Sequence, residues 1–240
     1  NPGPPSIGIE IHGAHHLVIE RCLFTGLDRG VDLRFCMLPT IRDCVFAGGR
    51  ERDIVISDGV DCVERPGRCW TGTEGWLRES GSHQARLVGN HHATHSSALA
   101  AVHVLRSMNP VLEGCTFEAT RPKHLVIMTW PGHAAEMTLR DTYIELAEPP
   151  RGTGLVRLEC GGLLRLDGLN YTGAYTEETL VDASEAKDVR VSIAGCAFLP
   201  GGVRLDNGRN PYANRWIFRD VVAVGQALTA PGRWVGGEAG

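Results

Sequence analysis

The chain has no apolar run approaching the roughly 18 residues that a membrane-crossing helix needs, so no membrane span is expected. It has no basic excess either: 24 Lys and Arg stand against 28 Asp and Glu, a net charge of −4. A nucleic-acid partner therefore has no electrostatic support. None of its eight cysteines is arranged as Cys-x-x-Cys, which argues against a zinc ribbon, and no signal peptide is read near its first residues. No metal and no cofactor are expected. What is present fits an ordered, turn-rich body: 42% hydrophobic residues suffice for a core, and 30 Gly with 13 Pro punctuate it.

One element recurs along the chain, an aliphatic residue followed by x-x-Cys-x-Phe. It reads Ile19-Glu-Arg-Cys22-Leu-Phe24, Ile41-Arg-Asp-Cys44-Val-Phe46, Leu112-Glu-Gly-Cys115-Thr-Phe117 and Ile193-Ala-Gly-Cys196-Ala-Phe198. Weaker copies begin at Leu87, Leu139, Leu166 and Phe218. The starts are separated by 22, 46, 25, 27, 27, 27 and 25 positions, and the 46 is read as two turns with a degraded copy near Val63. A period of this size indicates stacked supersecondary units in one continuous body.

Each copy is preceded by a second segment of apolar alternation. Nine such segments run from Gly8-Ile-Glu-Ile11 through Asp53-Ile-Val-Ile56, Gly75-Trp-Leu-Arg78 and His124-Leu-Val-Ile127 to Gly202-Val-Arg-Leu205. Alternation with period two predicts half-buried strands, hence about nine rungs. A leucine-rich repeat is set aside because each unit here carries two strand segments. The stretches 95–108 and 176–188, helix-like in isolation, fall in phase with the strands and are read as strand.

On this repeat the chain is similar to the right-handed parallel β-helix family, the pectin-lyase-like class that includes pectate lyases and phage tailspikes. The resemblance implies an all-β right-handed solenoid over residues 6–225, with residues 1–5 as a linker, an inserted loop at 60–74 and a C-terminal tail at 226–240. It also implies a homotrimer.

In this register the aliphatic, Cys and Phe positions point inward, and the residues between aliphatic and Cys form a bend. Cys22, Cys44, Cys115 and Cys196 then form a column of buried thiols. Disulfides Cys22–Cys44 and Cys62–Cys69 remain as alternatives. The residue after each aliphatic position faces solvent and alternates in sign at Glu20/Arg42 and at Glu113/Arg140/Asp167, as a parallel stack requires.

Outward columns of the first strand are read as Glu10, Asp32, Val55, Trp76, His103, Val126, Arg157, Asp182 and Arg204, flanked by His12, Arg34, Ser57, Arg78, Leu105, Met128, Glu159, Ser184 and Asp206. Val55, Trp76, Leu105, Val126 and Met128 would form an apolar patch, read as a subunit interface, a surface covered by the chain's own loop, or a ligand groove. The inserted loop brings Asp61, Glu64, Arg65, Arg68 and Trp70 near Trp76. With Trp130 these tryptophans make the candidate carbohydrate platform.

Asp58 and Glu79 are the first candidate acid/base pair, with Arg106 beside them. Asn90-His91-His92-Ala-Thr-His95 resembles a metal motif, but its side chains alternate in direction, so a buried, hydrogen-bonded Asn90/His92 pair is expected instead. The leading functional expectation is an extracellular or virion-associated, tailspike-like scaffold contacting surface polysaccharide. The alternatives are a polysaccharide lyase, glycoside hydrolase or epimerase in the first-strand groove, and a purely structural spacer.

Overall fold

The computed structural model describes residues 4–57, 84–118, 122–146, 154–172, 178–184, 186, 189–198, 203–206 and 215–223. Among them every regular element is a strand, and every pairing between strands is parallel.

The strands fall on three faces. The first face begins with Ile7–His12, Arg29–Arg34, Arg52–Ser57 and Ala100–Leu105, each paired with the next. The second begins with Val18–Glu20, Thr40–Arg42, Arg86–Val88 and Val111–Glu113. The third is an eight-stranded sheet from Leu23–Thr25 to Val222–Ala223. Two long strands, His124–Arg140 and Val156–Asp167, run through the corner and fuse the first two faces into one curled 14-stranded sheet. A register shift between Thr129 and Ala134 absorbs that corner. This all-β, all-parallel arrangement fits a β-solenoid.

The recurring sequence element is the corner between the second and third faces. The residue immediately before the Cys position has φ between 48° and 67° in every copy: Arg21, Asp43, Gly89, Gly114, Asp141, Gly168, Gly195 and Asp220. Gly and Asp are the residues that tolerate this left-handed conformation, which explains the spelling of the bend. The corner amide is not wasted, since Asp43 N donates to Val88 O at 3.0 Å, Gly114 N to Arg140 O at 3.0 Å and Gly168 N to Ala194 O at 2.9 Å. The Cys side chain then supplies a small donor inside the bend. Cys44 Sγ reaches Arg42 O at 3.3 Å and Cys196 Sγ reaches Ala194 O at 3.3 Å, and Thr142 Oγ1 does the same to Arg140 O at 3.1 Å.

Gly168 illustrates the constraint. Its φ is 67°, and a Cβ there would stand 2.5 Å from Asp141 Oδ1 of the preceding rung. Gly168→Ala is expected to lower stability by about 1–2 kcal/mol, mostly through the backbone angle because the Asp141 carboxylate can swing away. Urea denaturation measures it, and an unchanged midpoint would show that the corner relaxes.

The core lies between the faces. Ile54, Val102, Val126 and Val156 form one fully buried column of the first face, and Ile41, Leu87 and Leu112 one of the second. On the third face Phe24, Phe46, His92 and Phe117 stack with nearly parallel rings, their centroids 4.9, 5.0 and 4.8 Å apart. Cys44, Cys115 and Cys196 are buried and Cys22 half-buried; all four are free thiols, so the Cys22–Cys44 bridge is not formed. Burial pushes the Cys196 thiol up to about 11 and that of Cys160 up to about 12, which keeps both protonated and unreactive. Cys62 and Cys69 lie outside the described residues.

Three expectations need correction. The 46-residue interval is a single step, because Ile41 pairs directly with Leu87 and Arg52–Ser57 pairs directly with Ala100–Leu105. No strand stands between Arg52–Ser57 and Ala100–Leu105, and residues 75–78, read as a rung there, lie outside the described residues. Second, Val126 and Met128 point inward and Ile127 and Thr129 outward, one position off the expected phase. Third, Val203 pairs with Glu178 rather than with Val181. Strands do replace the two helix-like stretches, as Ala100–Leu105 and Glu178–Asp182.

Candidate functional site

With the register in hand, the first-face outward column reads Glu10, Asp32, Val55, His103, Ile127, Arg157 and Asp182. The expected apolar patch dissolves: Val126 and Met128 are core residues, and Val55 is only 6% exposed. Asp32 and His103 are also buried although they point away from the core. Arg29, Glu51, Arg52, Arg157 and Glu159 stay half-buried along the same face.

A hydrogen-bonded ladder runs along the face from rung to rung. Asp32 is clasped by Arg29 at 2.8 Å and Arg34 at 3.2 Å, and Arg29 also grips Glu51 with Nε at 2.9 Å and NH2 at 3.1 Å. Glu51 in turn bonds Arg52. Arg52 Nε donates to His103 Nδ1 at 2.9 Å. That bond fixes the imidazole proton on Nε2, which donates to Thr129 Oγ1 at 3.2 Å. The Thr129 hydroxyl donates to Glu159 Oε2 at 2.9 Å, and Arg157 Nε closes on Glu159 Oε1 at 2.7 Å. At the far end Asp182 Oδ1 accepts from the Ser184 amide at 3.1 Å and hydroxyl at 2.7 Å.

The electrostatics follow from the partners. Burial, and next the charge of Arg52, pull His103 down to about 4, so it is a neutral imidazole at physiological pH. Its one lone pair is occupied by Arg52, so it is not poised as a general base. Burial works against the Glu51 charge, yet the hydrogen bond and charge of Arg29 hold its carboxyl below the usual range. Chemically the ladder is a row of fixed donors and acceptors rather than a titrating pair near neutrality.

Asp58, Glu79, Trp70 and Trp76 lie outside the described residues, as does the loop at 60–74. Arg106 sits exposed in the turn after Ala100–Leu105, with φ of 50° and its amide donating to Thr129 O at 2.8 Å. Trp130 follows Thr129 in the same strand and packs half-buried against the core. Among the described residues no group of three or more His, Cys, Asp or Glu is arranged to hold a metal ion.

His103, Arg157 and Asp182 were legible as one outward column, whereas the link through Thr129 was not. Leu125, Val126, Ile127 and Met128 are all apolar and all buried, so alternation is silent there. Aligning Val126 with Val102 instead would have found it. No protein family, curated protein or solved structure matches the chain. No helix among the described residues is long and apolar enough to cross a membrane.

Proposed function

We propose that the chain is a right-handed parallel β-helix of the pectin-lyase-like, tailspike-like kind, acting outside a cell or on a virion as a rigid scaffold that contacts surface polysaccharide. Right-handedness is the rule for parallel strands joined by a crossover, and among the described residues the third face carries eight parallel strands of the about nine coils the repeat leads one to expect. The observation that carries the functional reading is the first-face ladder. Its donors and acceptors are held by one another at each rung, a preorganised surface for sugar hydroxyls. Binding without catalysis is favoured because every ionisable group named in the ladder is engaged and His103 titrates far from neutrality.

A panel of acidic and neutral polysaccharides tests this by retention and by release of reducing or unsaturated ends. Retention without depolymerisation is expected, weakened at least tenfold in an Arg157→Ala/Glu159→Ala double variant that keeps its strand spectrum. Release of ends would replace the scaffold with the lyase, hydrolase or epimerase reading, and no retention at all would leave a spacer. Light scattering after size exclusion should give three chains per particle; a monomer overturns the homotrimer.

A further inference from the structure

Two core positions of the repeat change chemical character in the rung of Arg52–Ser57, Arg86–Val88 and His91–Ala93. Where other copies carry Cys44 and Cys115 this rung has Asn90, and where they carry Phe46 and Phe117 it has His92. A third exchange accompanies them on the first face. The residue preceding Ile9 is Gly8 and that preceding Val31 is Gly30, but in this rung the residue preceding Ile54 is Asp53. The glycines are needed because a Cβ at Gly8 would press within 2.8 Å of the Phe24 ring, and one at Gly30 within 2.7 Å of Phe46. A Gly/Phe pair has been replaced by an Asp/His pair at the same place in the cross-section.

The replacements are hydrogen-bonded. His92 Nδ1 donates to Asp53 Oδ2 at 3.0 Å and Thr94 Oγ1 donates to the same oxygen at 2.5 Å. Asn90 accepts from Cys44 N at 3.1 Å and donates to Ile41 O at 2.9 Å. All four side chains belong to residues at most 1% exposed. Every one of these bonds joins a residue before position 58 to one after position 83. The His92 ring meanwhile keeps its place in the aromatic stack, 5° from the plane of Phe46 and 13° from that of Phe117.

We propose that Asp53, Asn90, His92 and Thr94 form a polar clamp that fixes the register between the strands before position 58 and those after position 83. A long excursion weakens the local information that sets register, and apolar residues at identical spacing would accept a one-rung slip. Directional bonds to a single buried carboxylate do not, which is the best-attested use of buried polar groups. The groups facing the imidazole are Asp53 from the first face, Thr94 from its own strand end, Cys115 from the following rung, and the Phe46 and Phe117 rings. Burial opposes its charge, but the hydrogen bond to Asp53, then the Cys115 contact and the Asp53 charge, outweigh it and hold His92 up at about 9. Because this lies above the ordinary value of 6.5, the stabilisation is complete below pH 6.5 and is lost as pH rises through 9.

The test compares wild type with Asp53→Gly, His92→Phe and the double variant, which re-creates the Gly30/Phe46 arrangement. In wild type the folding constant should fall by about 100-fold between pH 6.5 and 9.5, with the His92 imidazole titrating over the same range by nitrogen NMR. Each single variant should be destabilised at pH 6, and the double should recover stability and lose the alkaline fall. Its amides at Arg86, His91 and His95, which donate to Pro39, Cys44 and Gly49, should nevertheless exchange faster than in wild type at pH 6. Wild-type protection of those three amides in the double variant would overturn the register role. A wild-type stability that is flat from pH 6.5 to 9.5 would overturn the pH dependence, whether or not any variant folds.

Discussion

Gly162→Ala is expected to cost about 3–5 kcal/mol, enough to unfold a domain of ordinary stability. Gly162 has a φ of 111° in the middle of the strand Val156–Asp167, where it faces Ala135 on one side and Val189 on the other. A methyl group there would penetrate the Ala135 carbonyl oxygen and lie 2.6 Å from its amide nitrogen. Both obstacles are backbone in a sheet interior, so no side chain can move aside, and the collision adds to the strain of a φ that L-residues avoid. Gly26→Ala is the matched control. Its φ is 62° but nothing lies within 4 Å of the added carbon, so only the backbone cost of about 1 kcal/mol is expected. Urea midpoints for the two variants separate collision from conformation. Equal losses would mean that the sheet accommodates the methyl group.

Stability should also fall by about 3 kcal/mol between pH 6.5 and pH 4 through His103 alone. Burial and the Arg52 charge hold this histidine at about 4 when folded, below the ordinary 6.5. Below pH 6.5 the unfolded chain therefore binds a proton that the folded chain refuses, and stability is lost as pH falls through 4. His103→Gln should flatten most of that limb, at the expense of a lower plateau near neutrality because Arg52 and Thr129 lose partners. An acid limb of the same steepness in His103→Gln would show that other groups drive it. With His92 sloping the opposite way, the two histidines place the optimum near pH 6.5.

The stacking of this chain was readable because its corner is chemically demanding. Only Gly, Asp and a few others tolerate the left-handed residue, and the position after it often holds a small donor such as Cys44, Asn90 or Thr142, so the corner leaves a spelling that repeats. Phase along the strands was readable where polar residues alternate, as at Glu10 and Asp32, and was lost at Leu125–Met128 where both sides are buried. Length misled at the 46-residue interval, since an excursion nearly as long as a coil is indistinguishable from one by counting. The placement of His92 and Asn90 in the core was legible from register. The partner Asp53 was not, because the strand around it looks like any other and the bond crosses the interior between residues 39 apart. The expected site residues Asp58, Glu79, Trp70 and Trp76 lie outside the described residues.

The corner residue whose amide still donates to the next rung has a mechanical consequence. Strand and corner alike send their hydrogen bonds along the stacking direction, so a pull on the chain ends meets them as successive layers rather than as one block. Tension would peel the body a coil at a time, each coil freeing some 25 residues, roughly 85 Å of extended chain. One step would be almost twice as long, the 46 positions that separate the paired residues Ile41 and Leu87.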